Sequence, residues 1–219
     1  IKAVCVVSGN DAAVALGEHL AGSEEAFVAR MNERAQELGM NDTHFVNCTG
    51  LPASGHVTSA YDIALMSREL ILNHPDIRRF TTIWMDSLRN GASMLVNTNK
   101  LVRFYDGATG LKTGSTSTAK YCISATAERD GMELIAVVLG GSTSDARFSD
   151  AKAMLNYGFA NYALVNVAPE APLPAVPVTL GTQKTVQPVL TQDNALLLEK
   201  PRASGLTQSV VLPESVGAP

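Results

Sequence analysis

The segment 110–120, "GLKTGSTSTAK", contains two motifs that require different local structures. Lys112-Thr113-Gly114 is a Lys-Thr-Gly triplet, and Ser117 with Lys120 forms a Ser-x-x-Lys tetrad; both patterns occur in serine-dependent catalytic sites. A Ser-x-x-Lys pair can work on a helix, where side chains three positions apart share a face. Three steps along a strand turn two side chains to opposite faces of the sheet. The helix or strand assignment of this segment therefore decides both the fold and the site.

The neighbouring residues on the C-terminal side predict strands. The segment 121–128 is rich in small and β-favouring residues, and "ELIAVVLGG" at 133–141 is a continuous apolar run. Asp130-Gly131 between them is a turn signal, so an antiparallel hairpin is expected. The segment 112–120 should lead into this strand structure, with Ser117 and Lys120 pointing apart. The tetrad is accordingly interpreted as a decoy.

Helices are predicted on both sides of this hairpin. Ser23 is the expected N-cap of a helix with acidic residues in its first turn, an apolar stripe and a stop at Gly39. Apolar spacing predicts further helices at 11–20, 59–72 and 144–162. The fold class is therefore α/β (α+β), with an antiparallel sheet flanked by helices.

A change of composition marks a second domain. The segment 165–183, "VNVAPEAPLPAVPVTLGTQ", carries four prolines, and the residues from 184 onward predict short strands with turns. We predict a catalytic domain at 1–164 and a small β-rich domain at 165–219. The opening "IKAVCVV" has the pattern of a buried element without a partner, so the catalytic domain is expected to be N-terminally incomplete. The β-rich domain is expected to be incomplete as well.

Composition excludes several function classes. A net charge of −4, with 17% charged and 46% hydrophobic residues, gives no electrostatic basis for binding nucleic acid. No apolar run approaches the roughly 20 residues of a membrane span. The three cysteines and four histidines lack the spacing of a disulfide framework or a metal site, so neither a cofactor nor a metal is expected.

Two short motifs then stand out as a pair. Ser8-Gly9-Asn10 lies at the entrance of the first predicted helix, and Lys112-Thr113-Gly114 lies 104 positions later. Taken alone, Ser8 and Asn10 could simply cap that helix, and Lys112 could be a solvated surface lysine. These alternatives remain open at the level of spacing.

The sequence resembles a known family through several longer stretches. They are "VVSGNDAAVAL", "GSEEAFVARMNERAQELGMNDTHFVNCTGL", "HVTSAYDIALMSREL", "VNTNKLV", "GLKTGSTSTAKYC" and "IAVVLGG", which together cover roughly residues 1–165. The family is that of the low-molecular-mass penicillin-binding proteins acting as serine-type D-alanyl-D-alanine carboxypeptidases (peptidase S11). The resemblance implies a penicillin-binding protein/β-lactamase-like fold, with a tail similar to the start of the family's second domain.

The resemblance also implies a missing part. The family's nucleophilic Ser-x-x-Lys should lie several dozen residues before Ser8, and this sequence does not contain it there. The remaining tetrad, Ser149 with Lys152, falls after Lys-Thr-Gly, where the family has a structural helix. The chain is therefore expected to be a fragment without its nucleophile, inactive alone.

Roles near the leaving group follow from the resemblance. Ser8 would relay a proton toward the leaving amine, and Asn10 would hydrogen-bond the substrate amide. Lys112 would supply positive charge at the mouth of the site and help hold Ser8.

Roles near the substrate carboxylate also follow from it. Thr113 and Thr116 would donate hydroxyls to that carboxylate, and Gly114 would let the substrate backbone lie against the strand. Ser115 would contribute its backbone N–H to the oxyanion hole. Arg147 would bind the carboxylate, in bidentate fashion where geometry allows.

The implied function is removal of the terminal D-Ala from peptidoglycan pentapeptide stems, outside the cytoplasmic membrane. Expected partners are the stem peptide ending in D-Ala-D-Ala, β-lactam antibiotics and, as a separate chain, the missing N-terminal segment; nucleic acid is not expected. Membrane association would depend on segments outside this sequence. The alternatives are a β-lactamase of the same fold, against which Ser-Gly-Asn in place of Ser-Asp-Asn argues, and a non-catalytic peptidoglycan-binding or scaffolding module.

Overall fold

The computed structural model describes residues 1–169, 171–190 and 194–218. Residues 170, 191–193 and 219, which fall within the predicted β-rich segment, lie outside the described residues. The chain divides into two compact units, Ile1–Gly158 and Phe159–Pro219.

The helices of the first unit begin where the sequence places their caps. Ser23 Oγ accepts a hydrogen bond from Ala26 N at 3.1 Å, and Ser59 Oγ accepts one from Asp62 N at 3.1 Å. These side chains bind backbone N–H groups that the first helical turn leaves unpaired. The helices are α1 (Lys2–Val7), α2 (Asn10–Ala21), α3 (Glu24–Glu37), α4 (Ala60–Asn73), α5 (Arg78–Thr81), α6 (Leu101–Phe104) and α7 (Ser144–Asn161). The four predicted helices are confirmed, with ends that differ by only a residue or two.

The strands of the first unit form two antiparallel sheets. A small hairpin joins β1 (Met85–Leu88) to β2 (Ser93–Val96). The main sheet has the order β3-β4-β5, and all its neighbours are antiparallel. Its strands are β3 (Ala108–Thr116), β4 (Lys120–Arg129) and β5 (Met132–Gly141). The predicted hairpin is confirmed, and its turn at Asp130 and Gly131 uses positive φ angles of 50° and 75°.

The decoy tetrad lies at the other turn of this sheet. Residues 117–119 form the turn between β3 and β4, and Lys120 opens β4 with a φ of 58°. The predicted strand structure is confirmed for residues 112–116 and from Lys120 onward, whereas residues 117–119 form a turn in which the chain reverses direction. Neither residue is helical.

Helices pack against the main sheet and position its edge strand. α4 contacts β4 and β5, while α5 and α6 contact β3. Ser67 of α4 bonds Ser124 of β4 through their hydroxyls at 2.7 Å. Gly158 of α7 lies so close to Leu134 that an added Cβ would stand 2.4 Å from a leucine methyl. The core side chains on these elements include Leu111, Ile123, Ala125, Phe148, Ala151 and Leu155.

The second unit contains short strands, as expected for that segment. They are β6 (Tyr162–Asn166), β7 (Val176–Thr179), β8 (Thr185–Val186), β9 (Ala195–Glu199) and β10 (Val216–Gly217), with one helical turn, α8 (Lys200–Ala203). β6 pairs with β9, and β7 pairs with β8 and β10. Within the described ranges of the whole chain, no helix combines the length and apolar character needed to cross a bilayer.

Candidate active site

Ser8 occupies the corner between α1 and α2. It has a left-handed backbone with φ 59° and ψ 44°, and Gly9 N donates to Ala3 O at 3.0 Å to close the turn. The N-cap of α2 is Gly9, with no side-chain capping bond, so the capping alternative for Ser8 and Asn10 is wrong. A left-handed serine is unfavourable and tends to persist at functional sites. The side chains of Ser8 and Asn10 are both exposed and available to a ligand.

Lys112 extends from β3 to this corner. Its Nζ donates to Ser8 Oγ at 2.9 Å and to Thr113 O at 2.6 Å, and the first of these bonds joins two residues 104 positions apart. Lys112 is therefore not a solvated surface lysine. Burial lowers the pKa of the Lys112 ammonium below its usual value, the charge of Arg147 lowers this pKa further, and Cys5 opposes the shift. The site thus contains a partly desolvated cation aimed at a serine hydroxyl.

The residues after Lys112 form the exposed side of the same strand. Within the described chain β3 is paired only with β4, so its outer edge is open. A Cβ added to Gly114 would meet nothing within 4 Å, and Ser115 is exposed. Thr113 is buried, and its hydroxyl pairs with that of Thr98 at 2.6 Å. Thr116 Oγ1 accepts from Ala119 N at 2.9 Å and so also supports the turn.

Arg147, at the start of α7, lies against this strand. It is only 7% exposed, and its Nη1 donates to the carbonyls of Gly114 at 3.0 Å and Cys122 at 3.1 Å. The guanidinium lies 4.7 Å from the ring of Phe148 and 5.6 Å from that of Tyr121. Its Nε is buried without a hydrogen-bond partner in the described structure. Arg147 therefore holds β3 to β4 and has an unused donor.

These residues surround one cleft of about 560 Å³. The eight predicted site residues all line it: Ser8, Asn10, Lys112, Thr113, Gly114, Ser115, Thr116 and Arg147. The cleft combines a positive charge, several hydroxyls and an open strand edge. Such a combination suits an extended peptide that ends in a carboxylate.

Further residues of the cleft were missed by sequence reasoning. The loop 45–51, His56 and Thr98 also line it. His56 Nδ1 accepts from Val46 N at 3.0 Å, and burial lowers the pKa of His56, with the charge of His44 adding to this. Because Nδ1 accepts this hydrogen bond, Nε2 is the nitrogen that can donate. For Thr98 the sequence did contain a signal, the polar run Asn97-Thr98-Asn99. The surroundings of this run depend on tertiary contacts.

The two Ser-x-x-Lys pairs do not form sites. Ser117 lies in an exposed turn, Lys120 is exposed at the start of β4, and Ser149 and Lys152 are exposed on α7. No hydrogen bond joins either pair among the residues that the structure describes. In the same ranges no cluster of potential metal ligands is found.

A second, apolar cleft of about 590 Å³ adjoins the first. It lies between α3, α4 and the main sheet, and it shares with the first cleft the wall formed by residues 112–116. Its apolar lining consists of Leu38, Ile63, Met66, Leu70, Leu111, Ile123 and Leu139. Apolar surface of this kind is normally covered in a folded protein.

Comparisons with known proteins identify the family of the chain. The family described as D-alanyl-D-alanine carboxypeptidase (peptidase S11) matches residues 1–143. The D-alanyl-D-alanine carboxypeptidase DacF of Bacillus subtilis is 39% identical over 224 residues, which cover 100% of this chain and 57% of the relative. The chain thus spans little more than half the length of this curated relative.

Two solved structures are similar as well. The peptidoglycan synthesis regulatory factor PBP3 of Streptococcus pneumoniae has a TM-score of 0.78 at 30% identity, covering 100% of this chain and 66% of that one. Penicillin-binding protein D2 of Listeria monocytogenes, in its ampicillin-bound form, has a TM-score of 0.67 at 38% identity, covering 72% of this chain and 65% of that one.

Proposed function

The chain belongs to the peptidase S11 family of D-alanyl-D-alanine carboxypeptidases, and we propose that the whole protein is a serine-type enzyme that removes the terminal D-Ala from peptidoglycan pentapeptide stems. The reaction would proceed through an acyl-enzyme, which β-lactams would also form. The enzyme would act outside the cytoplasmic membrane, where peptidoglycan is found. The ampicillin complex of the Listeria relative supports the choice of β-lactams as ligands.

The 2.9 Å hydrogen bond from Lys112 Nζ to Ser8 Oγ carries this proposal. A donated hydrogen bond from an ammonium fixes the serine oxygen and leaves the serine proton free to move. Ser8 can then donate its proton to the leaving D-Ala nitrogen, and Ser8 takes up the proton that the attacking nucleophile releases. Lys112 stays charged and stabilises the negative charge that develops in the transition state.

The substrate would lie along the open edge of β3. Gly114 leaves room for its backbone, Ser115 N–H would donate to the oxyanion, and Asn10 would bind its amide. Thr116 is a proposed hydroxyl donor to the terminal carboxylate, and Thr113, whose hydroxyl pairs with that of Thr98, is proposed to act on the carboxylate through that pair.

Arg147 is proposed as the charge that faces this carboxylate. A bidentate grip would require Nη1 to leave the carbonyls of Gly114 and Cys122, and Nε is buried, so we propose that Arg147 acts on the carboxylate through the charge of its guanidinium. Its contribution is therefore expected to depend on the substrate's negative charge.

The nucleophile is proposed to come from a Ser-x-x-Lys helix elsewhere in the whole protein. The apolar cleft supports this, because a helix lying there would cover its exposed apolar wall. The wall shared at residues 112–116 would bring a serine on that helix beside Lys112.

A fluorescent penicillin tests the proposal. We expect the full-length protein to form a covalent adduct and to release D-Ala from a diacylated peptide ending in D-Ala-D-Ala. The 219-residue chain should remain unlabelled. Rapid penicillin turnover without peptide cleavage would instead identify a β-lactamase. Labelling of Ser117 or Ser149, seen by peptide mapping, would contradict the decoy assignment.

A pair of methionine variants tests the role of the apolar cleft. Met66 lines that cleft and is 37% exposed, whereas Met94 is 64% exposed on the β1–β2 hairpin. Met66→Asp should strongly reduce penicillin labelling of the full-length protein, because a carboxylate would be buried beneath the docked helix. Met94→Asp should leave labelling unchanged. Equal labelling of both variants would argue that the cleft is not the docking site.

A further inference from the structure

We propose that Thr98 is an additional substrate-binding residue, whose hydroxyl donates to the terminal carboxylate at the entrance of the carboxylate subsite. The inference rests on the proposed carboxypeptidase function. It adds to the candidate site a residue outside the Ser-Gly-Asn and Lys-Thr-Gly motifs. It also gives the buried Thr113 an indirect role, as the group that orients the hydroxyl of Thr98.

Thr98 is held rigidly by its two neighbours. Asn97 is 3% exposed and donates to Ile83 O at 2.7 Å, and Asn99 is fully buried and donates to Gly110 O at 3.0 Å. The side-chain oxygen of Asn97 accepts from Asn99 N at 2.8 Å, which closes a tight turn around Thr98. Its side chain is thus presented on a fixed backbone, as a positioned binding group requires.

Thr98 also connects the two halves of the site. Its backbone N–H donates to Val6 O at 3.0 Å, two residues before Ser8, while its hydroxyl pairs with Thr113 at 2.6 Å. Thr98 is therefore hydrogen-bonded both to the segment that leads to Ser8 and to the strand that carries Lys112. A displacement of Thr98 would affect both motifs.

The hydroxyl pair has a preferred direction. Each hydroxyl has one proton to donate, and a buried donor without an acceptor is costly. Thr113 is 5% exposed, and Thr98 is its described side-chain partner, so the Thr113 proton goes to Thr98 Oγ1. Thr98 is exposed and lines the cleft, so its own proton can point outward. A hydroxyl that accepts one hydrogen bond becomes a better donor of the next.

The charge environment indicates which ligand this hydroxyl meets. Lys112 and Arg147 line the same cleft, and an anionic group is the ligand that both cations favour. The Lys112 ammonium is already bonded to Ser8 Oγ, whereas the hydroxyls of Thr98 and Thr113 pair with each other elsewhere in the same cleft. The carboxylate would then lie on the Thr113 and Thr98 side, while Lys112 stays with Ser8.

The test compares Thr98→Val with Thr98→Ser in the full-length protein. Valine keeps the shape of threonine and the backbone bond to Val6, and serine keeps the hydroxyl. With a free-acid D-Ala-D-Ala peptide, Thr98→Val should lower kcat/KM by at least about 10-fold, as expected for a lost hydrogen bond to a charged group. With the C-terminally amidated peptide the loss should be about 2-fold or less, because the amide lacks the charge. Thr98→Ser should retain most of the activity toward the acid.

A purely structural role for Thr98 would give a different pattern of losses. Equal losses with acid and amide would show that Thr98 only supports the fold and would overturn the inference. If the wild-type protein cleaves neither peptide, the proposed function fails, and the inference is then decided by binding. In that case the ratio of the Kd values for the acid and the amide is compared between the wild type and Thr98→Val. An unchanged ratio overturns the inference, and a ratio that moves toward one in Thr98→Val supports it.

Discussion

Replacing Lys112 by Ala in the full-length protein should abolish most of its activity without unfolding it. The Lys112 ammonium donates at 2.9 Å to Ser8 Oγ and at 2.6 Å to Thr113 O. A hydrogen bond to or from a charged group contributes about 1.5 to 3 kcal/mol, and removal of one preorganised electrostatic group from a transition state costs roughly 3 to 4 kcal/mol. We therefore expect kcat/KM to fall by about 10²- to 10³-fold.

Stability should respond very differently. Burial disfavours the charged form of Lys112 and lowers its pKa, so the folded protein contains an ammonium that is partly desolvated. Alanine removes that cost together with the two hydrogen bonds, and the free energy of unfolding should change by no more than about 1 kcal/mol. The same lowered pKa predicts that the alkaline limb of kcat/KM begins below the usual range of a lysine, because the ammonium is the active form.

The assay measures D-Ala release and the rate of acylation by a fluorescent penicillin, with thermal unfolding followed in parallel. Lys152→Ala is the matched control, because Lys152 is an exposed lysine on α7. Its activity should equal that of the wild type. A Lys112→Ala protein with normal turnover, or one that has lost activity only because it unfolds, would refute the assigned role.

Three further predictions concern the stability of the chain itself and the chemistry of one thiol. In urea titrations, Gly107→Ala should lower the free energy of unfolding by at least about 2 kcal/mol more than Gly55→Ala. Both glycines have a φ of 79°, but only at Gly107 would the added Cβ meet a backbone oxygen, at 2.4 Å. Equal losses in the two variants would show that this contact is relieved without cost. In the same assay, Asn99→Ala should lower the free energy of unfolding by roughly 2 to 4 kcal/mol, because it leaves the buried Gly110 carbonyl and Leu101 N–H without their partner. A loss below about 1 kcal/mol would argue that water replaces the Asn99 amide. Burial and the neighbouring Glu24 carboxylate raise the pKa of Cys48 to about 11, so the stabilisation of the fold by the neutral thiol should be complete below the usual cysteine pKa and decline as the pH approaches this raised value. Glu24→Gln should lower the pKa of Cys48 and speed its alkylation. An unchanged alkylation rate, measured by peptide mass spectrometry, would assign the shift to burial alone.

Local sequence signals were sufficient for much of the fold. Ser23 and Ser59 mark helix starts because their hydroxyls bind amides only three residues away. The Asp130-Gly131 turn could be predicted because a tight hairpin requires positive φ, which few residues adopt. The strand prediction failed at Ser117, where no glycine or proline marks the reversal of the chain. The successful predictions rest on bonds and backbone angles that lie within a few residues of the signal.

The sequence by itself predicted eight of the residues that line the candidate site, because seven of them lie in two short stretches, 8–10 and 112–116. Only the tertiary structure decided how those residues are used. It joined Ser8 to Lys112 across 104 positions, turned Nη1 of Arg147 to two backbone carbonyls and paired Thr98 with Thr113. The physical reason is that a long polar side chain bonds to whichever partners the packed elements bring within about 3 Å, and that set of partners is fixed by the fold and not by neighbours in the sequence.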